Sequence, residues 1–400
     1  VSSEVRADGA QAGGGSSDDA ARESIRRELD RTHFVEAGAG TGKTTALVGR
    51  ILELVAGGRA RIDEIAGITF TEAAAAELRD RLRGALEQAA AKEAPDRRER
   101  LEAALADIES AAISTLHGFA RRLLAEHPFE AGLPPKFDVL DDIRSSVAFE
   151  ERWADFVDAS LLGPAGRQPL TRAVLCGVTL DHLRQLALQC NRNWDLVADH
   201  PWSAGPGVAV DVTEVLEPIG RAAALSGRCT TPGDQLLNRL EQLAEWADEL
   251  RVAQSESEVL RLVVEMPATS KRKVGRKENW DGQVDVVRAL LDAAVDARSG
   301  LVETVAADAL VGLLALIGSW TIEAAADRCR EGHLEYHDLL VQARDLLRRR
   351  PDVAGEVADR YRYLLIDEFQ DTDPIQAELA VRIAACGPGA AIPGAAVQDA

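Results

Sequence analysis

Short apolar runs alternate with helical periods along the first third of the chain. A helical pattern runs from Asp18 to about Asp30. The run His33-Phe34-Val35-Glu36 then precedes a glycine turn, and Lys43 to Val55 places its apolar residues at helical spacing. Ile65 to Phe70 reads as a strand, followed by the alanine-rich helix Glu72 to Ala91. Ala111 to Thr115 is another strand, with a helix from Gly118 to Glu126 behind it. Strands and helices in alternation predict an α/β fold, with a parallel sheet covered by helices on both faces.

The pattern changes after His127-Pro128 and Leu133-Pro134-Pro135. Residues 140–330 carry long helical periods, such as Leu236, Leu237, Leu240, Leu243, Ala244 and Leu250, and little strand signal. Breaks fall near Gly163-Pro164, Pro201 to Gly207 and Pro232-Gly233. The strand pattern returns at Tyr363-Leu364-Leu365-Ile366. The expected organisation is a flexible leader over 1–17, rich in Gly, Ser and Ala, and a discontinuous α/β domain over 18–127 and 331–400. A mainly helical domain, 128–330, is inserted between its halves. The longest apolar run, Ala309 to Ile322, is shorter than the roughly 18 residues that a membrane span needs and reads as a buried helix.

Composition narrows the picture. The 400 residues are 46% hydrophobic and 28% charged, which are globular values. The net charge of −20 argues against coating nucleic acid by bulk charge, but not against a local binding track. Half of that charge falls on 128–330, which also holds a basic exception. Lys271-Arg272-Lys273-Val274-Gly275-Arg276-Lys277 carries five positive charges in seven residues. The bland reading of this segment is a solvated loop; the sharper one is a phosphate contact made by Lys271, Arg272, Lys273, Arg276 and Lys277. The cysteines Cys176, Cys190, Cys229, Cys329 and Cys386 lack metal-ligand spacing. They read as buried thiols of a reducing cytoplasm, where the protein is expected to reside.

Two constellations carry chemistry. Ala37-Gly38-Ala39-Gly40-Thr41-Gly42-Lys43-Thr44-Thr45 fits a phosphate-binding loop, with alanine in the first glycine position, a strand before it and a helix after. Glycines let backbone N–H groups curl round phosphate oxygens, Lys43 would reach the β- and γ-phosphates, and the Thr44 hydroxyl would hold Mg²⁺. The helix beginning here aims its positive dipole end at the anion. The second constellation is an apolar strand ending in Asp367 and Glu368. Asp367 is expected to help hold Mg²⁺. Glu368, on the opposite face of the pleat, is expected to polarise the attacking water. Most of the chain separates Lys43 from Asp367, as an inserted domain requires.

At these residues a family resemblance becomes specific. Asp367-Glu368-Phe369-Gln370-Asp371-Thr372 resembles the second motif of the UvrD/Rep/RecB group of superfamily 1 DNA helicases, and Ala37 to Thr44 its first. Ile68-Thr69-Phe70-Thr71-Glu72 through Arg79 and Ser114-Thr115-Leu116-His117-Gly118-Phe119 resemble its DNA-contacting motifs. Leu334-Glu335-Tyr336-His337-Asp338-Leu339-Leu340 is similar to the segment that precedes the second motif. Leu116, where UvrD-like members often have a bulky aromatic, and Asn193-Trp194-Asp195-Leu196 tilt the resemblance toward the RecB/AddA helicase-nuclease branch. The glutamine that the family uses to read adenine has no counterpart in Asp18-Asp19-Ala20-Ala21-Arg22-Glu23.

The resemblance implies a RecA-like P-loop domain interrupted by the helical insertion. It implies the N-terminal motor part of an ATP-dependent 3′-to-5′ DNA helicase of repair or recombination, with ATP and Mg²⁺ as cofactors. Single-stranded or partly duplex DNA would be the partner, with no membrane, and with a helicase-nuclease partner subunit. Lys43, Asp367 and Glu368 would be catalytic, and Gln370 would sense the γ-phosphate. Thr69, Phe70, Thr115 and His117 would line the single-strand track, although Phe70 also fits a core residue and His117 a packed or capping histidine. Few residues follow Asp371, whereas a second motor domain takes roughly 100–200. The alternative expectation is therefore a truncated nucleotide- or DNA-binding module with little turnover.

Overall fold

The computed structural model describes residues 3–6, 15–38, 41–200, 202–205, 207–267 and 274–385. These fall into two compact units, one drawn from Val1–Leu140 and Arg328–Ala400, the other from Asp141–Asp327. The chain begins with β1 (Ser3–Arg6), α1 (Gly15–Arg27), β2 (His33–Glu36), α2 (Lys43–Ala56), β3 (Ile65–Thr69) and α3 (Glu72–Ala90). It continues with α4 (Pro95–Ala106), β4 (Ala112–Thr115), α5 (Leu116–Glu126) and β5 (Asp138–Val139). The second unit holds α6 (Asp142–Phe156), α7 (Pro164–Leu175), α8 (Leu180–Arg192), α9 (Trp194–Ala198), α10 (Thr213–Ala223), α11 (Gln235–Val252), α12 (Glu256–Val264) and most of α13 (Val284–Glu331). The chain then returns with β6 (His333–Leu334), α14 (Tyr336–Arg349), α15 (Pro351–Arg360), β7 (Tyr363–Ile366) and α16 (Pro374–Ala385).

The fold is α/β and mostly helical, with small parallel sheets. β4, β3 and β7 form one sheet in that order, with Thr69 opposite Thr115 and Ile68 opposite Ile366. β3 is buried along its whole length, so its residues Ile65-Ala66-Gly67-Ile68-Thr69 form a continuous covered run rather than an alternating one. Ile65 and Ile113 pack with Ile51 and Leu54 of α2, Leu78, Leu82 and Leu86 of α3, and Leu101 of α4. Burying each such aliphatic side chain stabilises the unit by about 1.5–3 kcal/mol before entropy is counted.

The sequence rhythm predicted a single sheet. Among the described residues the strands divide into three small ones, because β2 makes its ladder with β1, while β5 pairs with β6. β1 and the start of α1 lie within the stretch expected to be a flexible leader. β2 is poorly covered, with Phe34 60% and Val35 39% exposed.

The second unit is helical throughout its described residues, and α13 is its spine. Val284, Val287, Leu291 and Ala294 of α13 pack with Leu240, Leu243 and Trp246 of α11 and with Trp280. Farther along, Ala309, Leu313 and Ile317 pack with Phe149, Trp153, Phe156, Leu161 and Leu183, and Trp320 stacks on Phe156 with centroids 5.0 Å apart. By length and composition α13 is apolar enough to cross a membrane. Its buried Ala309, Leu313 and Ile317 recur every fourth residue against other helices, so one face of the helix is packed within the unit, while 22% of its most apolar window is buried.

Candidate functional site

The phosphate-loop residues connect β2 to α2. Thr41 closes the turn on Gly38, donating to its carbonyl oxygen from Oγ1 at 2.7 Å and from its backbone N–H at 3.4 Å. Gly42 has φ +92°, a left-handed conformation that only glycine adopts readily, and it is the N-cap of α2. Having no side chain, it supplies no capping acceptor, which leaves the first-turn N–H groups suited to an external anion. Lys43 and Thr44 are half-buried and Thr45 is exposed in that first turn. Ala37 is half-buried and Gly38 exposed, while Ala39 and Gly40 lie outside the described residues.

The second constellation stands where β7 ends. The Asp367 N–H donates to the carbonyl of Ile68 at 2.8 Å, prolonging the ladder by one residue. Glu368 then turns left-handed, with φ +55° and ψ 42°. Pleat alternation, expected to place Glu368 opposite Asp367, therefore does not govern its direction: Glu368 lies past the strand and opens the turn Phe369–Asp371. A left-handed non-glycine residue costs roughly 1–2 kcal/mol. Such strain is typical of functional turns.

This turn aims Glu368 at the loop. Lys43 Nζ donates to Glu368 Oε2 at 3.0 Å, and Gln370 Nε2 donates to the same oxygen. The Glu368 N–H donates to Asp367 Oδ1 at 3.0 Å. The structure thus joins Lys43, Glu368 and Gln370 by side-chain contacts and sets Asp367 against the Glu368 backbone. The Gln370 hydrogen bond, then the Lys43 ammonium, hold the Glu368 carboxyl below the ordinary glutamate range, so it is ionised at neutral pH. Among the described residues no group of three or more His, Cys, Asp or Glu side chains forms a metal cage.

The expected single-strand residues lie where β3 and β4 end. Thr69 is 4% exposed and donates through Oγ1 to the carbonyl of Thr71 at 3.1 Å. Thr115 is 7% exposed; its Oγ1 donates to Glu72 Oε1 at 2.7 Å and accepts from the Gly118 N–H at 3.1 Å, capping α5. Both hydroxyls are occupied inside the fold. Phe70 is 56% exposed and so is not a core residue. His117 is half-buried, and burial lowers its pKa, with opposing help from Asp373 and Glu72 and a further lowering from His337. Its ring meets Tyr336 edge-on, centroids 5.8 Å apart.

The basic segment belongs to the second unit. Arg276 and Lys277 are exposed; Lys271, Arg272 and Lys273 lie outside the described residues. The buried Asp234 carboxylate accepts from the Arg276 N–H at 3.3 Å, Asn279 Nδ2 at 2.8 Å and Trp280 Nε1 at 3.2 Å, fixing the backbone there. Of the cysteines, Cys329 is buried, with its thiol pushed up to about 12 by burial, and Cys176, Cys190 and Cys229 are only half-buried. Cys386 lies outside the described residues.

Two residues not singled out from sequence contribute to the site. Arg22 Nη2 donates to the carbonyl of Thr41 at 3.0 Å, supporting the phosphate loop from α1. Glu72 ties the segment after β3 to the segment after β4 through Thr115. Arg22 lies in the stretch searched for an adenine-reading glutamine, and its charge beside that motif was the available signal.

Known proteins resemble the chain along nearly its whole length. It is 26% identical over 382 residues to an ATP-dependent helicase/nuclease subunit of Syntrophomonas wolfei, a match covering 86% of this chain and 30% of that protein. It is 25% identical over 406 residues to the protein of the same name from Lacticaseibacillus casei, covering 89% and 33% respectively. A shorter match to the Listeria welshimeri protein of that name is 40% identical over 120 residues, 30% of this chain and 10% of that protein. The chain thus spans about a third of the length of the Syntrophomonas wolfei and Lacticaseibacillus casei proteins. Residues 18–392, nearly the whole chain and including both constellations, match the UvrD/REP helicase N-terminal domain, and the chain belongs to that family.

Proposed function

We propose that the chain is the N-terminal motor part of an ATP-dependent 3′-to-5′ DNA helicase of repair or recombination. In this reading the first unit is a RecA-like P-loop domain and the second its inserted helical domain. It hydrolyses ATP with Mg²⁺ while bound to single-stranded DNA. The observation that carries the reading is the 3.0 Å contact of Lys43 with Glu368, which joins the glycine loop to the carboxylates after β7 across almost the entire sequence. The relatives are named as subunits of a helicase/nuclease, which supports a second protein as partner. The free thiols of Cys176, Cys190, Cys229 and Cys329 support a reducing cytoplasm.

The residues present fit ATP with Mg²⁺. The left-handed Gly42, the open first turn of α2 and the half-buried Lys43 suit a polyphosphate. The Thr44 hydroxyl and the Asp367 carboxylate would hold Mg²⁺, which takes few protein ligands and completes its shell with phosphate and water oxygens. When bound, Mg²⁺ would neutralise charge on the phosphates.

The chain's own residues then divide the work. Lys43 exchanges Glu368 for phosphate oxygens; the freed carboxylate keeps its Gln370 hydrogen bond but loses the ammonium that helped hold its pKa down, becomes a better base, orients the attacking water and accepts its proton. Gln370, bonded to Glu368 in this structure, reports the change to the turn Phe369–Asp371. Phe70 offers a face on which a base stacks, and the basic segment of the second unit meets phosphates.

The test is single-strand-stimulated ATP turnover by the complete protein, with Glu368→Gln beside wild type. Turnover falling about 10²-fold or more with nucleotide affinity retained supports the reading. Equal turnover by both proteins contradicts it.

A further inference from the structure

We infer that Asp234 is a positioning residue of the phosphate contact in the second unit: it presets the backbone from which Arg276 and Lys277 project, an inference that rests on the DNA-binding reading above. As the N-cap of α11, Asp234 has to supply a single acceptor, and its Oδ1 does so for the Leu236 N–H at 2.9 Å. Its other three donors come from farther along the chain. The Trp280 indole N–H also reaches Oδ1, while the Arg276 N–H and the Asn279 amide reach Oδ2. An exposed carboxylate serves as a helix cap, whereas this one is 7% exposed. Burial pushes the carboxyl up, but hydrogen bonds from Asn279, Leu236, Trp280 and Arg276 together outweigh it and hold the group below the ordinary aspartate range. The charge is therefore kept inside the fold, where it binds the start of α11 to the far segment.

That segment is gripped from other sides as well. Arg288 of α13 donates to the carbonyls of Val274 at 3.1 Å and Gly275 at 2.9 Å. The Thr230 N–H donates to the Asn279 carbonyl at 2.8 Å. Gly275 is left-handed, with φ +87°, and runs so close to α11 that a Cβ there would meet the Leu236 Cβ at 2.9 Å. Trp280, fully buried, anchors the end of the turn Lys277–Asn279.

What this framework presents to solvent is unpaired positive charge. Arg276 and Lys277 are exposed, and neither makes an ion pair among the described residues. Arg228, Arg251 and Arg288 of the same unit, by contrast, each meet an aspartate. Cations projecting from a fixed backbone lose less entropy on meeting an anion than cations on a free one. The one aromatic of the stretch from Val274 to Asp281, Trp280, is buried and offers no face to a base, so the contact is with phosphates.

The experiment measures binding of a labelled DNA duplex with a single-stranded tail to the full chain, by fluorescence anisotropy across a salt series. It compares wild type with Asp234→Asn, Asn279→Ala and the double variant Arg276→Ala/Lys277→Ala, with thermal midpoints recorded alongside. Replacing both cations is expected to flatten the slope of log affinity against log salt by about 1.8 units, about 0.9 for each phosphate. Asp234→Asn makes the protein more positive, so charge alone would tighten binding. Positioning instead predicts binding weakened about five-fold, with the slope flattened by about 0.9 units or more. Asn279→Ala, which removes one bond and no charge, is expected to weaken binding about two-fold and to flatten the slope in the same direction. Asp234→Asn binding as tightly as wild type or tighter, with its fold retained, overturns the inference. Where its midpoint collapses, Asn279→Ala decides, and an unchanged slope there overturns the inference equally. An unchanged slope in the double variant removes the contact itself, while Phe70→Ala still reads the single-strand track. If wild type does not bind the DNA, the DNA-binding reading and the role of Asp234 fall together.

Discussion

Each unit joins distant parts of the sequence through a cation and carboxylates, and the two joints are built differently. In the second unit Arg172, 7% exposed, bonds Glu256 twice, at 2.7 and 2.8 Å, and Asp308 once, at 2.9 Å, uniting α7, α12 and α13. In the first unit Lys43 meets Glu368 through one nitrogen–oxygen contact of 3.0 Å, with the two side chains 26% and 38% exposed. Arginine's planar fork satisfies several acceptors at once, whereas lysine's ammonium is a compact charge on a flexible stem. Glu256, at 39% exposed, is as open as Glu368, but the arginine itself is buried and engaged through three nitrogens, which suits permanence. The lysine joint is half-open, single-contact and built on a strained residue, and is suited to exchange with a ligand.

That contrast is broken or sharpened by substitution. Arg172→Ala is expected to have the largest effect on stability, about 2 kcal/mol lost in chemical denaturation, because the part-buried Asp308 loses its charged partner while the more exposed Glu256 is re-solvated. A loss under about 1 kcal/mol would make the two joints equivalent. Lys43→Ala is expected to cost no more than about 1 kcal/mol of stability, since a part-exposed pair contributes little, while weakening nucleotide binding about 100-fold. Phe70→Ala ranks next, with single-strand affinity reduced about ten-fold and nucleotide affinity unchanged.

The smallest effect concerns pH. Burial lowers the His117 pKa in the folded protein, so the unfolded chain binds the proton more tightly. Stability is therefore complete above the ordinary imidazole value of about 6.5 and declines as pH falls through it toward the lower folded value. Thermal midpoints measured from neutral to mildly acidic pH are expected to fall less steeply for His117→Gln than for wild type. Equal slopes would show that His117 does not contribute to the acid sensitivity.

Much of this was legible in the sequence. Helical periods and apolar runs gave α2, α3, β3, β4, α5 and β7 to within a residue or two, because each lies in a core whose demands coincide with local preference. The glycine spacing before Lys43 and the acids after Ile366 identified the residues that the fold brings together. The direction of Glu368 was not legible, because a left-handed turn at a glutamate has no local signature and is set by its partners. Nor was the pairing of β2 with β1 legible, since Ser3–Arg6 is short and polar and becomes a strand only against its neighbour. The internal use of the Thr69 and Thr115 hydroxyls likewise depends on which backbone atoms the tertiary fold brings near.

The central claim is that Lys43 and Glu368 form an ATP–Mg²⁺ site rather than a structural link. Mg²⁺-dependent binding of a fluorescent ATP analogue to wild type and Lys43→Ala tests this directly, with thermal midpoints recorded without nucleotide. The expected result is saturable, Mg²⁺-dependent binding by wild type, weakened about 100-fold by the substitution, and midpoints that agree closely. Equal binding by the two proteins, or a collapse of the Lys43→Ala midpoint, would contradict it.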